Sequence, residues 1–249
     1  MSTVFLVGAG PGAPDLLTQR AVRILGEADI VFHDALINPG TLKIASRALL
    51  VPVGKRSGRY STAQRFINKQ LADAARRYPI VVRLKGGDPM LFGRASEEIR
   101  FLKKNRIKVE IVPGVTAALA AAAEIGVSLT ERLVARSVVF VTPRTAAGAR
   151  PSRWERAIAN ADTAVLYMAA GEAQEVKNAL IGAGVRRDTP LVIAENVSLA
   201  GSALFAGTLE ALPQLASRLN GGPAVIILGE VCAELALSAS VSPKALTAL

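Results

Sequence analysis

Two glycine-rich segments each follow a short apolar run, and both have the composition of a platform that holds a ligand through backbone groups. The first, Gly8-Ala9-Gly10-Pro11-Gly12, follows Phe5-Leu6-Val7; the second, Lys85-Gly86-Gly87-Asp88-Pro89, follows Ile80-Val81-Val82-Arg83-Leu84. Glycines let N–H and C=O groups approach a bound molecule with no Cβ in the way, Asp88 adds a fixed acceptor, and Pro89 stops the strand from continuing. The first segment is a poor dinucleotide fingerprint, because its third glycine comes one position early and Pro11 and Pro14 delay the helix that would receive a pyrophosphate. Pro14 instead suits a first helical position, with Asp15 in the first turn. Two such strand exits in one half of the chain predict a single cleft bordered by both.

The elements that must carry these loops alternate. Apolar runs at Val4–Val7, Ile30–Phe32, Leu49–Val53, Ile80–Leu84 and Val109–Val112 predict strands, with helices at Leu16–Glu27, Thr62–Arg77 and Arg94–Lys104 between most of them. That order predicts an α/β unit with a mostly parallel sheet. The second half repeats the style, with strands at Val138–Thr142, Thr163–Met168, Leu191–Glu195, Ala203–Ala206 and Ala224–Leu228 and helices near Ala173–Ile181 and Leu209–Leu219. The predicted fold class is therefore α/β, as two α/β domains. Pro113-Gly114 closes the fifth strand before the alanine-rich helix start Val115–Ala123, which places the domains at 1–113 and 114–249. Pro143–Arg153, with Gly148 and Pro151, reads as an exposed loop, and the tail from Leu237 has weak periodicity.

Composition narrows the functional classes. The 249 residues are 51% apolar, enough for a sizeable core, and disorder is not expected. One cysteine, Cys232, and one histidine, His33, cannot build an intramolecular disulfide or a His/Cys zinc cluster, so a metal-free site in a reducing cytoplasm is the expectation. No apolar stretch approaches the length of a membrane span, and Val4–Val7 is too short for a signal sequence, so neither membrane insertion nor export is expected. Thirty Lys and Arg against 20 Asp and Glu give a formal charge of +10, which draws polyanions of any kind: nucleic acid, an anionic membrane, or a small molecule with several carboxylates. It also fits a merely solvated basic surface. Aromatics are only 4% and do not interleave with the basic residues, and no recognition-module motif is present, so a nucleic-acid partner is not expected.

The same residues, in this order and at these separations, resemble the tetrapyrrole methylases over nearly the whole chain, from Val4 to about Val231. The resemblance rests on Val7-Gly8-Ala9-Gly10-Pro11-Gly12 with Asp15-Leu16-Leu17-Thr18, on Ala28-Asp29-Ile30-Val31 leading to Asp34, and on Val53-Gly54-Lys55-Arg56 with Gly58. It continues through Val82-Arg83-Leu84-Lys85-Gly86-Gly87-Asp88-Pro89, Phe92-Gly93-Arg94, Glu97-Glu98, Val112-Pro113-Gly114-Val115-Thr116-Ala117-Ala118, Tyr167-Met168 and Gly229-Glu230-Val231.

What the resemblance implies is a cytoplasmic homodimer that moves methyl groups from S-adenosylmethionine to uroporphyrinogen III, leaving S-adenosylhomocysteine and giving precorrin-2 by way of precorrin-1. The resemblance also implies a ligand cleft between the two α/β domains, where the cofactor would be held by Pro11, Gly86, Gly87, Asp88, Leu91, Thr116, Ala117, Met168 and Val197. Each position makes physical sense in part: Asp88 as an acceptor for a hydroxyl or amine, Thr116 at a helix start, Met168 as a flexible thioether at a strand end. Without the family pattern, however, Met168 reads as ordinary core, whereas for Gly86-Gly87 the ligand reading outweighs a tight strand-to-helix turn, because Asp88 adds chemistry to the geometry. The resemblance assigns proton acceptance to Asp34 and proton donation to Lys55; both also follow apolar strands, where α/β sheets present their sites. By position alone, Asp34 reads rather as a turn cap and Lys55 as a solvated charge. Arg56, Arg59, Arg94, Arg132 and Arg144 lie in or beside the matched segments as candidate partners for the macrocycle's carboxylates.

The chain departs from the family pattern at Ala35, where arginine is usual, and at Arg59-Tyr60, where histidine is. Thr142-Pro143-Arg144 stands for Thr-Gly-His, Glu131-Arg132-Leu133 for His-Arg-Asp, Ala95-Ser96 for Gly-Gly, Val197 for glycine, and Ala13 for an aspartate that would cap the first helix. Most of these fall where the macrocycle would sit. Another precorrin methyltransferase, a non-catalytic tetrapyrrole-binding relative and, from charge alone, a nucleic-acid binder are the alternatives.

Overall fold

In the computed structural model of the protein, residues 2–53, 64–144 and 152–241 are described. Lys55, Arg56, Arg59 and Tyr60 lie outside the described residues, as do the expected helix start at Thr62, most of the Pro143–Arg153 loop and the end of the tail. Chain contacts divide the protein into Met1–Thr116 and Ala117–Leu249.

The first unit runs β1 (Thr3–Gly8), α1 (Gln19–Glu27), β2 (Ile30–His33), α2 (Pro39–Leu42), β3 (Leu49–Pro52), α3 (Gln64–Ala75), β4 (Ile80–Lys85), α4 (Ala95–Lys104) and β5 (Lys108–Val112). The sheet order is β3-β2-β4-β1-β5, and every pairing is parallel. Its faces are covered differently. Val7, Val31, Val82, Leu84 and Val112 pack with Ala21, Ile24 and Leu25 of α1 on one side; Val4, Leu6, Phe32 and Val81 pack with Leu71 of α3 and Leu102 of α4 on the other. The chain thus leaves β1 through a helix on one face and β4 through a helix on the opposite face. Since all strands run one way, Gly8 pairs with Lys85 and His33 with both Leu84 and Pro52, and the loops after the strands share one edge. That edge is where open α/β sheets bind ligands.

The first helix is shorter than the sequence predicts. Pro14–Leu16 makes only a single 3-10 turn headed by Ala13, and α1 starts at Gln19, where the Thr18 hydroxyl accepts from the Ala21 N–H at 3.2 Å. Thr18 therefore supplies the cap that Ala13 cannot.

The second unit contains α5 (Ala117–Glu124), β6 (Val138–Val141), α6 (Trp154–Ala159), β7 (Thr163–Tyr167), α7 (Ala173–Gly182), β8 (Pro190–Glu195), β9 (Ala203–Thr208), α8 (Leu212–Ala216), β10 (Ala224–Gly229) and α9 (Ala233–Val241). Its sheet order is β6-β7-β10-β8-β9, around a core of Leu166, Leu180, Leu191, Ile193, Leu209, Leu212 and Ile226. Strand direction departs from the first unit: only β6–β7 is parallel, and β7–β10, β10–β8 and β8–β9 are antiparallel. The connection 196–202 between β8 and β9 is too short for a parallel crossover, which needs a dozen or more residues. Among the described residues, no helix is long and apolar enough to cross a membrane.

Candidate functional site

At the carboxyl edge of the first sheet, three loops are fastened to one another by backbone. The loops after β1 and β4 exchange two hydrogen bonds, Gly87 N–H to Gly10 O at 2.7 Å and Gly10 N–H to Gly87 O at 3.2 Å, and Ala9 N–H donates to Lys85 O at 2.7 Å. The loop after β5 joins them through Gly114. A Cβ on Gly114 would stand 2.3 Å from Gly87 O and 2.9 Å from Gly8 Cα, so this approach requires glycine.

Asp88 completes the fastening. Its Oδ1 accepts from the Met90 N–H at 2.7 Å and its Oδ2 from the Gly114 N–H at 3.0 Å. The sequence offers Asp88 as an acceptor for a ligand; in the structure, each oxygen first serves the protein's own main chain, and its remaining lone pairs are what a ligand could use. Gly86, beside it, is open: a Cβ there would meet nothing within 4 Å. Pro11, Leu91 and Thr116 are all half-buried along the same loops, and Thr116 Cα lies 3.9 Å from where a Gly87 Cβ would be. An open glycine beside a braced carboxylate and close-packed main chain fits a cofactor that carries hydroxyls and an amine.

Asp34 directly follows β2 on this edge, and its surroundings are more charged than the sequence reading allows for. Arg83, only 3% exposed, donates through Nη2 to Asp34 Oδ1, through Nε to Glu98 Oε1 at 3.2 Å, and through Nη1 to the carbonyls of Leu84 (3.0 Å) and Phe32 (3.4 Å). Lys85 is buried as well and reaches both oxygens of Glu98, at 3.2 and 3.1 Å. Glu98, fully buried on α4, also accepts from Gln64 Nε2 of α3 at 3.0 Å. Burial pushes the Lys85 ammonium below its ordinary value and Arg83 repels it further, while Glu98 and Asp34 pull the other way. Two buried cations from one strand are thus balanced by two carboxylates from neighbouring elements. Arg83, Lys85 and Glu98 are the members that the sequence reading did not assign to the site.

The second unit gathers its own candidates. β6, β7 and β8 run in the same direction, so Thr142–Arg144, Met168 and Val197 emerge at one edge of the sheet. The Ala118 N–H donates to the Tyr167 hydroxyl at 3.1 Å, which brings the start of α5, with Ala117, to the end of β7. Met168 is 44% exposed and takes a left-handed φ of 55°, so the core reading of this residue is excluded. Val197, by contrast, is 5% exposed; the backbone around it is left-handed at Asn196 (φ 53°) and Ser198 (φ 66°). Phe92 (φ 52°) and Arg94 (φ 57°) adopt the same conformation in the first unit's β4 loop. Most left-handed non-glycine residues among those described therefore sit in loops that follow the carboxyl ends of strands, which is how strain concentrates at ligand sites.

Of the candidate arginines, Arg94, Arg132 and Arg144 lie among the described residues, each in its own surroundings. Arg94 holds Glu97 with a two-point grip, Nε at 2.8 Å and Nη2 at 2.9 Å, and keeps the Glu97 carboxyl below its usual range. Arg144 pairs with Glu172 at 3.5 Å. Arg132 is exposed on the tight turn closed by Ala135 N–H to Glu131 O at 2.8 Å. Among the described residues no cluster of His, Cys, Asp or Glu is arranged to hold a metal ion.

The chain is similar to known proteins over most of its length. The sequence model of the Tetrapyrrole (Corrin/Porphyrin) Methylases matches residues 3–213. The chain is 43% identical to a uroporphyrinogen-III C-methyltransferase of Pseudomonas aeruginosa over 233 residues, covering 93% of this chain and 95% of that one. It is 44% identical over 230 residues to a siroheme synthase of Chromobacterium violaceum but spans about half of that longer protein, 49%. Its structure matches the uroporphyrin-III C-methyl transferase of Thermus thermophilus complexed with S-adenyl homocysteine, with a TM-score of 0.82 at 37% identity, covering 92% and 98% of the two chains.

Proposed function

Because the chain belongs to the tetrapyrrole methylases, we propose that it transfers methyl groups from S-adenosylmethionine to carbon atoms of uroporphyrinogen III, giving precorrin-2 by way of precorrin-1 and releasing S-adenosylhomocysteine. The observation that carries this reading is the likeness to the Pseudomonas aeruginosa C-methyltransferase along almost the full length of both chains. By the same resemblance, the working form is a homodimer in the cytoplasm.

S-adenosylmethionine supplies a methyl group on a sulfonium, a carbon already activated for displacement. The protein's part is to align an electron-rich pyrrole carbon in line with the departing sulfur and to keep water out. The new C–C bond takes its electrons from the pyrrole, the C–S pair stays on sulfur, and the cationic ring system then loses a proton. We assign acceptance of that proton to Asp34, which is 34% exposed at the carboxyl edge of its sheet, and donation to Lys55. Cofactor contacts are assigned to Pro11, Gly86, Gly87, Asp88, Leu91, Thr116, Ala117, Met168 and Val197. Arg56, Arg59, Arg94, Arg132 and Arg144, with the +10 charge behind them, are assigned to the carboxylates of the acceptor.

Incubation with uroporphyrinogen III and S-adenosylmethionine is expected to add two methyl units by mass and to change the absorbance spectrum. A protein that shifts the spectrum without adding mass is a tetrapyrrole binder instead. Asp88→Ala is expected to weaken S-adenosylmethionine binding, since it removes the carboxylate that holds Met90 and Gly114 as well as a ligand acceptor. Each such charged hydrogen bond is worth about 1.5–3 kcal/mol. Calorimetry that finds unchanged affinity would take Asp88 out of the site.

A further inference from the structure

We propose that Arg83 is a positioning residue: a buried guanidinium that fixes one carboxylate oxygen of Asp34 so that the other is left to receive the proton released by the methylated acceptor. The inference rests on the assignment of Asp34 as the proton acceptor. It starts from an imbalance in how Arg83 is used. Glu98 is already held by Lys85 at 3.1 and 3.2 Å and by Gln64 at 3.0 Å, so the buried acid has a cationic partner without Arg83. The Arg83 side chain nevertheless spans from Glu98 on α4 to the end of β2, and four acceptors define its plane: Glu98 Oε1 at Nε, the Phe32 and Leu84 carbonyls at Nη1, and Asp34 Oδ1 at Nη2. A guanidinium has five N–H donors in a fixed fork. Committing four of them to three different elements leaves the group no rotational freedom.

The two partners differ in exposure. Arg83 is 3% exposed and Asp34 34% exposed, so the pair runs from the interior to the edge of the sheet where the loops after β1, β4 and β5 meet. Among the described residues only Oδ1 of Asp34 is engaged, by Arg83. A general base works only when its accepting oxygen is held within hydrogen-bonding reach of the proton, and a short, otherwise free side chain after a strand has two torsions to lose. Clamping Oδ1 from behind sets both. Lysine could supply the charge but not the fork.

The test is a double-mutant cycle on the whole enzyme, with Arg83→Lys, Asp34→Asn and the combined variant assayed for kcat, KM for uroporphyrinogen III and S-adenosylmethionine affinity. Arg83→Lys is expected to lower kcat by about 10- to 100-fold, the scale of a misplaced catalytic group, with S-adenosylmethionine affinity within about twofold of wild type. The combined variant is expected to be no slower than Asp34→Asn alone, because two residues that act through one carboxylate do not add. Multiplying losses in the combined variant, or an unchanged kcat in Arg83→Lys while Asp34→Asn is slow, would overturn the proposal. Full activity in Asp34→Asn would instead remove the base assignment, and this inference with it. Should Arg83→Lys not fold, Asp34→Glu decides. It keeps the carboxylate and an intact Arg83 but adds a methylene, so a fall in kcat with cofactor affinity retained supports the clamp, and wild-type kcat refutes it.

Discussion

Glu98→Ala is expected to lower the free energy of unfolding by about 3–5 kcal/mol, the cost of breaking a buried ion pair by removing one partner. The magnitude follows from where the charges are. Glu98 is fully buried, Lys85 is 4% exposed and Arg83 3%, so deleting the carboxylate leaves two cations facing one another out of reach of water. Lys85 loses both of its contacts to Glu98 and Gln64 one of its amide contacts. At roughly 2–4 °C per kcal/mol for a chain of about this size, the midpoint of thermal unfolding should fall by about 6–20 °C. The contrast is Glu27→Ala. Its pairing with Arg23, at 3.8 Å with both side chains more than half exposed, should contribute less than about 1 kcal/mol. Urea unfolding of the two variants side by side checks both numbers, and equal, small losses would show that the interior charges are hydrated.

That charge cluster marks a limit of the sequence reading, though the signal was present. Alternation placed β4 and the loop after it, and the parallel sheet of the first unit follows from strands and helices taking turns. A central parallel strand is covered on both faces, so the charges at Arg83 and Lys85, alternating with Val82 and Leu84, had to be buried and paired. The helical spacing of Ala95, Glu98 and Leu102 puts an acid on the same stripe as two buried apolar residues. What was missing was the long-range pairing that brings α4 over β4, which no local pattern encodes. The second unit failed differently. Its strands were legible, but their direction depends on the short β8–β9 connection and on β10 inserting between β7 and β8, which is a fact of topology. Glycine positions were legible in kind but not in role: nothing in Pro113-Gly114-Val115 says that Gly114 lies against Gly8 and Gly87.

Gly114→Ala should therefore separate the loops and cost the site its cofactor. Its added Cβ would fall 2.3 Å from a carbonyl oxygen and 2.9 Å from the Gly8 Cα, and neither neighbour is a side chain that can swing away. Main chain must move, at about 1–3 kcal/mol of stability by the scale of overpacked interiors. The movement also breaks the Gly114 N–H contact to Asp88, so S-adenosylmethionine affinity should fall together with stability. Gly86→Ala tests the same edge from the other side. Its Cβ meets nothing within 4 Å, so folding should change by less than about 0.5 kcal/mol. If the cofactor lies against that glycine, the methyl occupies its space, and affinity should drop tenfold or more, at least about 1.4 kcal/mol. Unfolding and calorimetry on the pair thus split two kinds of glycine: one that holds the loops together, and one that keeps a surface bare for a ligand. Wild-type affinity in Gly86→Ala would mean that no ligand rests there, and the exposed turn after β4 would be only a turn.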